Sequence, residues 1–423
     1  MKILLLSFIS IFILFGANGQ SRDTYQKFIA RASLCHLQKN YKKAIIFYEE
    51  AFAIESPDAI TAYKAAGVYS LNNNIDMAFD LLLQAIQSGW FEADMLSTDP
   101  YFEHLKETNP HRWEQIVNQA FAAEKGYEKG LREPALRKQI NLMVLKDQRL
   151  RYARVQAESK EGRQKINHDI HLADSINRIQ AEDILSKYGW PKLSDIGRDG
   201  QNNLWLIVQH ADDDVFFQQT ALSAMLKLKN TEEFNLENYA YLYDRVKCNL
   251  NYKQFYGTQV NWSTHGQADS FKSIIDENSI DERRKDMGMV PLEIYALTYG
   301  FVYRKKTALQ VKKADSVDHA TIRNLIDSAK YFYAKGVFYK VYDFYNTAST
   351  YLGGMNNADN YDAALIFAGI ANKDYDSKYK AIALDFLNLL YQRNKLRKKQ
   401  LSGNIFKVLH KDQRWIDIYN HID

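Results

Sequence analysis

The sequence is poor in the residues and patterns that mark specialised proteins. It has only 6 prolines and 2 cysteines among 423 residues, and its formal net charge is only +4. So small a charge gives no reason to expect a nucleic-acid partner. After the N-terminal region, no apolar run approaches the roughly 17–25 residues that span a membrane. With 46% hydrophobic and 25% charged residues, the composition is that of a globular protein.

Motifs typical of catalysis and metal binding are also missing from the sequence. There is no Gly-x-Ser-x-Gly nucleophile motif. The three aspartates at 212–214 lack the glycine and the distal glutamate of a calcium-binding loop. His168 and His171 share a helix face, but the stretch is strongly polar, which favours a solvated face over a metal site. We therefore predict no metal and no cofactor.

The two cysteines are predicted to be packing residues. Cys35 and Cys248 stand at apolar-face positions of predicted helices in different parts of the chain. This placement predicts two buried free thiols. A disulfide between them stays open as the alternative, because the compartment predicted below is oxidising.

The first residues form the longest apolar run of the chain. Lys2 is followed by apolar residues at 3–15, interrupted only by two serines, and then by a small-residue segment. This order is typical of a secretory signal peptide at 1–19, with cleavage between Gly19 and Gln20. The alternative is an N-terminal membrane anchor, for which the run is short. We predict a secreted or periplasmic protein without stable membrane insertion.

A self-match runs through the chain after the predicted cleavage site, with an offset of 34 residues. The matching pairs are Ala32/Ala66, Cys35/Tyr69, Asn40/Asn74, Ala44/Ala78, Tyr48/Leu82 and Ala51/Ala85. The period and the order of small and large residues resemble the tetratricopeptide repeat, a pair of closely packed helices. The resemblance implies helical hairpins in a unit at 20–128, with a concave surface for a peptide or protein. A purely structural brace is the alternative.

The end of this unit is echoed at the end of the chain. Phe-x-x-Leu followed by Arg-Trp-x-x-Ile occurs at 102–116 and again at 406–418. We therefore predict a second, degenerate helical-repeat unit at 301–423. Because typical domains have only ~100–150 residues, two or three units are expected in all.

The middle region, 129–300, is predicted to be a helical domain with a small β-hairpin. Its stretch LWLIVQHADDD (204–214) begins like a buried core and ends on polar residues. On a helical wheel, Gln209 and His210 fall opposite the main apolar stripe, and the aspartates end this helix and cap the next. The preceding stretch LSDIGRDGQNN is interpreted as a polar turn. The hairpin is assigned to the weakly alternating residues 253–275.

The predicted fold class is therefore mainly α: tetratricopeptide-like hairpins flank a central helical domain that carries the β-hairpin.

Several motifs of the middle region match a known family in order and spacing. VQHAD (208–212), DRV (244–246), YGTQ (256–259) and the ERR of DERRKDMGMVPLEIY (281–295) resemble a bacterial family of unknown function. That family is often found in secreted proteins beside tetratricopeptide repeats, and the resemblance covers about 135–300. It implies that the recurring polar residues of the family correspond here to Gln209, His210, Asp212, Asp244, Arg245, Gln254, Tyr256, Gly257, Gln259, Arg283 and Arg284. It implies no activity, because none is established for the family.

These residues are compatible with three roles. In a catalytic site, His210 with Asp212 or Asp244 would be the general acid/base. The binding residues of such a site would be the anion binders Arg245, Arg283 and Arg284 and the hydrogen-bonding residues Gln209, Tyr256 and Gln259. The second role is ligand binding without chemistry. The third is a buried polar network in which His210 bonds Asp244 or a backbone carbonyl.

The repeat and the lack of a catalytic motif favour a binding or scaffold protein that engages a protein or peptide partner. The alternative function is a hydrolase or lyase, centred on His210, that acts on a small anionic or peptide-like substrate.

Overall fold

In the computed structural model, residues 19–264, 266–374 and 377–422 are described. The predicted signal peptide lies outside them, apart from Gly19. The first ten helices are α1 Gly19–Leu37, α2 Tyr41–Phe52, α3 Ala59–Leu71, α4 Ile75–Gln87, α5 Ala93–Thr98, α6 Glu103–Thr108, α7 Pro110–Glu128, α8 Pro134–Gln156, α9 Lys160–Tyr188 and α10 Leu193–His210. The others are α11 Val215–Leu226, α12 Leu236–Asn249, α13 Ile280–Asp286, α14 Leu292–Leu297, α15 Ala308–Ala334, α16 Phe338–Ser349, α17 Asn357–Ala371, α18 Ser377–Gln392, α19 Lys398–Leu401 and α20 Gln413–His421. Short 3₁₀ turns occur at Pro100–Phe102, Glu277–Ser279 and Asn404–Leu409.

The chain divides into two compact units that each combine separate stretches. Unit 1 contains the described residues up to Leu242, with Val260–Phe271 and Ser279–Lys305. Unit 2 contains Tyr243–Gln259, Lys272–Asn278 and the described residues from Lys306 onwards. Two strands, β1 Val260–Trp262 and β2 Ala268–Phe271, form an antiparallel pair within unit 1. The fold class, mainly α with a small β-hairpin, is confirmed.

Unit 1 opens with two helical hairpins whose buried residues follow the 34-residue offset. Helix α1 packs on α2, and α3 packs on α4. Four of the aligned pairs lie in one core: Ala32, Cys35, Ala44 and Tyr48 in the first hairpin, with Ala66, Tyr69, Ala78 and Leu82 in the second. Asn40 caps α2 by accepting a hydrogen bond from the Lys43 amide, and Asn74 stands at the same position before α4. The repeat pattern therefore corresponds to equivalent positions in two successive hairpins.

Helices α8, α9 and α10 form the next layer of unit 1. Helix α8 packs against both α9 and α10. The stretch LSDIGRDGQNN is helical, so its interpretation as a turn is wrong. The helix breaks only at Gly197, where φ is +71°. A Cβ at that position would lie 2.1 Å from Tyr127 Oη, so glycine is required there both by conformation and by space.

The β-hairpin pairs Val260 with Phe271 and Asn261 with Ser270, and its register shifts next to Trp262. Phe271 stacks on Tyr295, with ring centroids 5.9 Å apart. The turn contains Gly266, whose φ of +77° favours glycine.

Unit 2 has its own core, made by α15 to α20. Helix α15 packs on α16, and α17 packs on α18. The Phe and Trp of the echoed motif make the same contact at both ends of the chain. The ring centroids of Phe102 and Trp113 are 5.8 Å apart in unit 1, and those of Phe406 and Trp415 are 5.6 Å apart in unit 2. Among the described residues, no helix combines the length and apolar character needed to cross a membrane.

Candidate functional site

A large cavity opens within unit 1, between the helical hairpins and the layer of α8 and α10. Its volume is about 1070 Å³, slightly above the range of ~300–1,000 Å³ that is common for ligand sites. The walls come from α1, α3, the segment that follows α4, the Asp99–Tyr101 turn, α8 and the start of α10. The cavity is therefore bounded both by the N-terminal hairpins and by the helices that follow them.

Aromatic side chains cover much of the cavity wall. Tyr63 stacks on Trp90 at 3.9 Å, and Phe91 stacks on Tyr127 at 4.2 Å, between ring centroids. The other aromatic lining residues are Tyr25, Tyr41, Tyr48, Tyr101 and Tyr152. Rigid rings offer a large contact area at a low cost in side-chain entropy, which suits the binding of apolar ligand groups.

Four polar side chains form a hydrogen-bonded row at one end of the cavity, here called the acidic row: Glu92, Asn203, Asn141 and Asp199. Asn203 Nδ2 donates to Glu92 Oε2 at 2.8 Å and to Asn141 Oδ1 at 3.0 Å. Asn141 Nδ2 then donates to Asp199 Oδ2 at 3.0 Å. Asp199 Oδ1 is buried and makes no hydrogen bond within the described part of the chain. Glu92, Asn203 and Asp199 all line the cavity.

Arg137 stabilises the acidic row through its bond to Asp199. Its guanidinium is fully buried and bonds Asp199 Oδ2 at 2.8 Å, Glu124 at 3.0 Å and Glu128 at 2.9 Å. It also donates to the Phe91 carbonyl at 2.6 Å. A buried cation with this many acceptors fixes the positions of α7, α8 and α10.

Three ionisable groups that line the cavity, Glu92, Lys64 and His36, have strongly shifted pKa values. Burial raises the pKa of Glu92 to about 7, and the charge of Asp199 adds to this, while Asn203 and Arg137 oppose it. Burial lowers the pKa of Lys64 to about 8, against the charges of Asp58 and Glu237. Burial also lowers the pKa of His36 to about 4. Such shifts are typical of binding and catalytic clefts.

A second polar cluster surrounds His210. His210 Nδ1 lies 3.3 Å from Asp147 Oδ2. Arg151 Nε bonds both oxygens of Asp147 at 3.0 Å, and its Nη2 bonds Asp174 at 2.6 Å. Arg151 also lines the cavity, so the cluster extends from the cavity wall to the end of α10.

The carboxyl groups of Asp147 and Asp174 have pKa values that are shifted in opposite directions. Burial would raise the pKa of Asp147, but hydrogen bonds and charges from His210 and Arg151 outweigh it and hold that pKa below its usual range. Burial raises the pKa of Asp174 to about 7; Arg151 opposes this, and Asp147 and Asp213 add to it. The ligand atoms of Asp147, Asp174 and His210 lie within 4.8 Å of one another, a spacing that could hold a metal ion. Because Arg151 already bonds both carboxylates, the cluster fits a network of ion pairs better than a metal site.

Of the predicted site residues, Gln209, His210, Asp212, Arg283 and Arg284 belong to unit 1. Gln209 is buried, as are its neighbours from Gly200 onwards, so the end of α10 is enclosed on all sides and has no exposed polar face. Asp212 accepts a hydrogen bond from Gln218 at 3.4 Å. Arg284 is fully buried, donates to the Val290 carbonyl at 2.6 Å and lies 4.8 Å from the Tyr295 ring centroid. Arg283 is half-buried.

The other predicted residues, Asp244, Arg245, Tyr256 and Gln259, belong to unit 2. Asp244 is fully buried and accepts hydrogen bonds from the amides of Phe255, Tyr256 and Thr258 at 2.6–3.0 Å. Burial raises its pKa, and these amides oppose the rise. Tyr256 is buried within the same turn, Arg245 is half-buried, and Gln259 Nε2 donates to Thr258 Oγ1. Asp244 thus anchors the YGTQ turn.

Sequence reasoning did not identify Glu92, Asp147, Arg151, Asp174 or Asp199. One signal was available on α8, whose buried face includes Leu136, Ile140, Met143 and Val144 at helical spacing. Arg137 and Asp147 occupy the same buried face, and charges on an apolar stripe indicate buried ion pairs. Glu92 and Asp199 gave no such signal, because only the tertiary fold brings them together.

Residues 134–308 match the family model described as a family of unknown function (DUF6624). The match covers α8 to α14 and the β-hairpin, and the resemblance inferred from the motifs is confirmed to that extent. No curated protein and no solved structure matches the chain.

Proposed function

We propose that the protein is an exported binding protein of the cell envelope whose unit 1 cavity takes a peptide segment of a protein partner. The observation that carries the proposal is the cavity of about 1070 Å³ between the helical hairpins and the α8–α10 layer. Tetratricopeptide-like hairpins provide concave surfaces of this kind. The predicted signal peptide supports the location.

The lining chemistry also supports a peptide. Aromatic rings, cations and carboxylates are all represented on the wall, for example Tyr152, Arg149 and Asp58. A peptide offers a regular series of amide groups together with apolar and charged side chains, so a wall of mixed character suits it better than a uniformly charged one would.

Selection from a displayed library of random peptides tests this proposal. We expect enriched peptides to bind the wild-type chain and to lose affinity for Tyr152→Ala, because Tyr152 is a partly exposed ring of the cavity wall (37% exposed). Tyr342→Ala is the matched control, since Tyr342 is 39% exposed and lies outside the cavity lining. Failure to enrich any peptide, or equal losses in the two variants, would contradict the proposal.

The second candidate is an acid–base enzyme centred on His210. It is favoured by the Asp147–His210 contact, which could orient the ring, and by Asp174, whose pKa of about 7 suits proton transfer near neutral pH. In such an enzyme Arg151 would be the cation near His210, a role that the sequence analysis gave to other arginines. The substrate class would be a small anionic or peptide-like molecule.

His210→Ala separates these alternatives. An enzyme would lose turnover of a peptide or ester library while its melting temperature stays near that of the wild type. A structural network would show a lower melting temperature and unchanged peptide binding once folded. Arg245→Ala changes a predicted site residue of unit 2 and is compared with the wild type by the same measurements.

A further inference from the structure

The acidic row and the groups around it together carry more negative than positive charge. The carboxylates around it are those of Glu92, Asp94, Glu124, Glu128 and Asp199. Arg137 and Lys138 are the cations that bond them, Lys138 to Asp94 and Glu124. Arg198 directly precedes Asp199. Burial lowers the pKa of Arg198, and the charges of Glu237 and Tyr127 oppose this effect. Even with Arg198 counted, carboxylates outnumber cations among the described groups of this region.

Glu92 and Asn203 of this row also present acceptors to a ligand. Both N–H bonds of Asn203 are used, one toward Glu92 and one toward Asn141, so its remaining amide atom is an acceptor. Glu92 has a second oxygen besides the one that Asn203 bonds. Asp199 Oδ1 also has no hydrogen-bond partner in the described part of the chain, but it is buried, so Asp199 contributes negative charge to the site and no direct contact. The second oxygen of Glu92 and the amide oxygen of Asn203 therefore supply two acceptors for a primary ammonium group, which has three N–H donors.

We infer that the acidic row is a binding site for a primary ammonium group, either the N-terminus of a peptide or a lysine side chain. The inference deepens the proposed peptide binding and rests on it for the identity of the ligand. The stacked pairs Tyr63–Trp90 and Phe91–Tyr127 line the same cavity. They supply apolar contacts for the carbon atoms next to the ammonium group and ring faces that attract a cation.

The raised pKa of Glu92 predicts that binding of the ammonium group depends on pH. With a pKa raised to about 7 by burial and by the charge of Asp199, Glu92 carries a proton in much of the population at pH 6. A bound ammonium group favours the charged carboxylate, so binding at pH 6 must release that proton. Affinity is therefore expected to fall between pH 8 and pH 6.

The direct test uses 2-phenylethylammonium as the probe and its N-acetyl derivative as the uncharged match, with titration calorimetry on the full chain. We expect the amine to bind about tenfold more tightly than the amide at pH 8. Glu92→Gln keeps an oxygen for the Asn203 hydrogen bond and should lower amine affinity about fivefold, with loss of the pH dependence. Glu114→Gln is the control, since Glu114 is exposed on α7 and lies outside the cavity lining, and it should stay within about twofold. Equal affinity of the amine and the amide would overturn the site, as would equal effects of the two variants.

Peptides from the library selection identify the source of the ammonium group. An N-acetylated copy loses affinity if the N-terminus is bound, and a copy with each lysine replaced by norleucine loses affinity if a side chain is bound. If selected peptides tolerate both changes, peptide binding stands and the ammonium site is wrong. If the amine probe binds through Glu92 but no peptide is ever enriched, the ammonium site stands and the peptide function is wrong.

Discussion

Arg137, Asp244 and Arg284 are charged side chains that are completely buried, and each lies against groups of opposite charge or polarity. Arg137 bonds three carboxylates, Asp244 bonds three backbone amides, and Arg284 bonds a carbonyl and covers an aromatic ring. Removing one partner from such a group leaves the other buried without compensation, which costs more than the loss of a surface ion pair. At the residue scale, these side chains therefore hold turns and helices in place.

The first prediction concerns Asp244→Asn. The amide replaces an accepting oxygen with a donor, and that donor would face the amides of Tyr256 and Thr258. We expect a loss of about 2–3 kcal/mol in the free energy of unfolding, measured by urea denaturation. Asp343→Asn, an exposed change in unit 2, is the control and should stay near wild type. A mild effect at Asp244 would show that the YGTQ turn does not depend on this carboxylate.

The second prediction concerns pH and Asp174. Its pKa in the folded protein is raised to about 7, so its contribution to stability is full below the pKa of the unfolded chain and is lost as the pH rises through 7. Asp174→Asn imitates the protonated form and avoids this loss. The melting temperature of the variant minus that of the wild type should therefore become more positive between pH 5 and pH 8. A difference that stays flat or falls across this range would be inconsistent with the raised pKa.

The candidate site could be foreseen only in part from the sequence. His210 was identified because a histidine at the end of a core-like run is unusual, but its partner carboxylate is Asp147 on α8. That pairing joins positions 63 apart, 147 and 210, and helical periodicity carries no information on contacts at such separations. Asp244 was identified as well, and its neighbours are the backbone amides of a turn.

At the scale of elements, periodicity and capping were the reliable signals. The 34-residue offset placed the first four helices, and Asp214 caps α11 as expected from the aspartate run. The region before His210 was misread because its glycines and polar residues are typical of turns. There the buried helix α10 uses Asn202 to accept hydrogen bonds from Asn235 and Asn238, so tertiary bonding overrides the local preference.

Gly197 gives the third prediction. Alanine at this position would have φ near +71° and a Cβ 2.1 Å from Tyr127 Oη. The backbone conformation alone costs about 1 kcal/mol, and the clash adds to it, so Gly197→Ala should lower the melting temperature clearly. Gly126→Ala is the matched control, because no atom lies within 4 Å of its added Cβ and α7 should gain about 1 kcal/mol. Similar melting temperatures for the two variants would contradict this account.

At the scale of the whole molecule, the fourth prediction is export with cleavage at the N-terminus. Expressed in a Gram-negative host, the full chain should be recovered from the periplasm with Gln20 as its first residue, as read by mass spectrometry of the intact protein. Leu5→Arg places a charge in the apolar run and should leave the uncleaved chain in the cytoplasm. Recovery of the full-length wild-type chain in the membrane fraction would support the membrane anchor.

The distribution of the cysteines allows the two units to be studied separately in one sample. Cys35 belongs to unit 1 and Cys248 to unit 2, and both are buried free thiols. Burial raises the pKa of each thiol, to about 12 for Cys248, so little of the reactive thiolate is present at neutral pH. Each therefore becomes alkylated chiefly when its own surroundings open. Peptide mapping after timed exposure to iodoacetamide in rising urea would give a separate opening curve for each unit, without the introduction of any label.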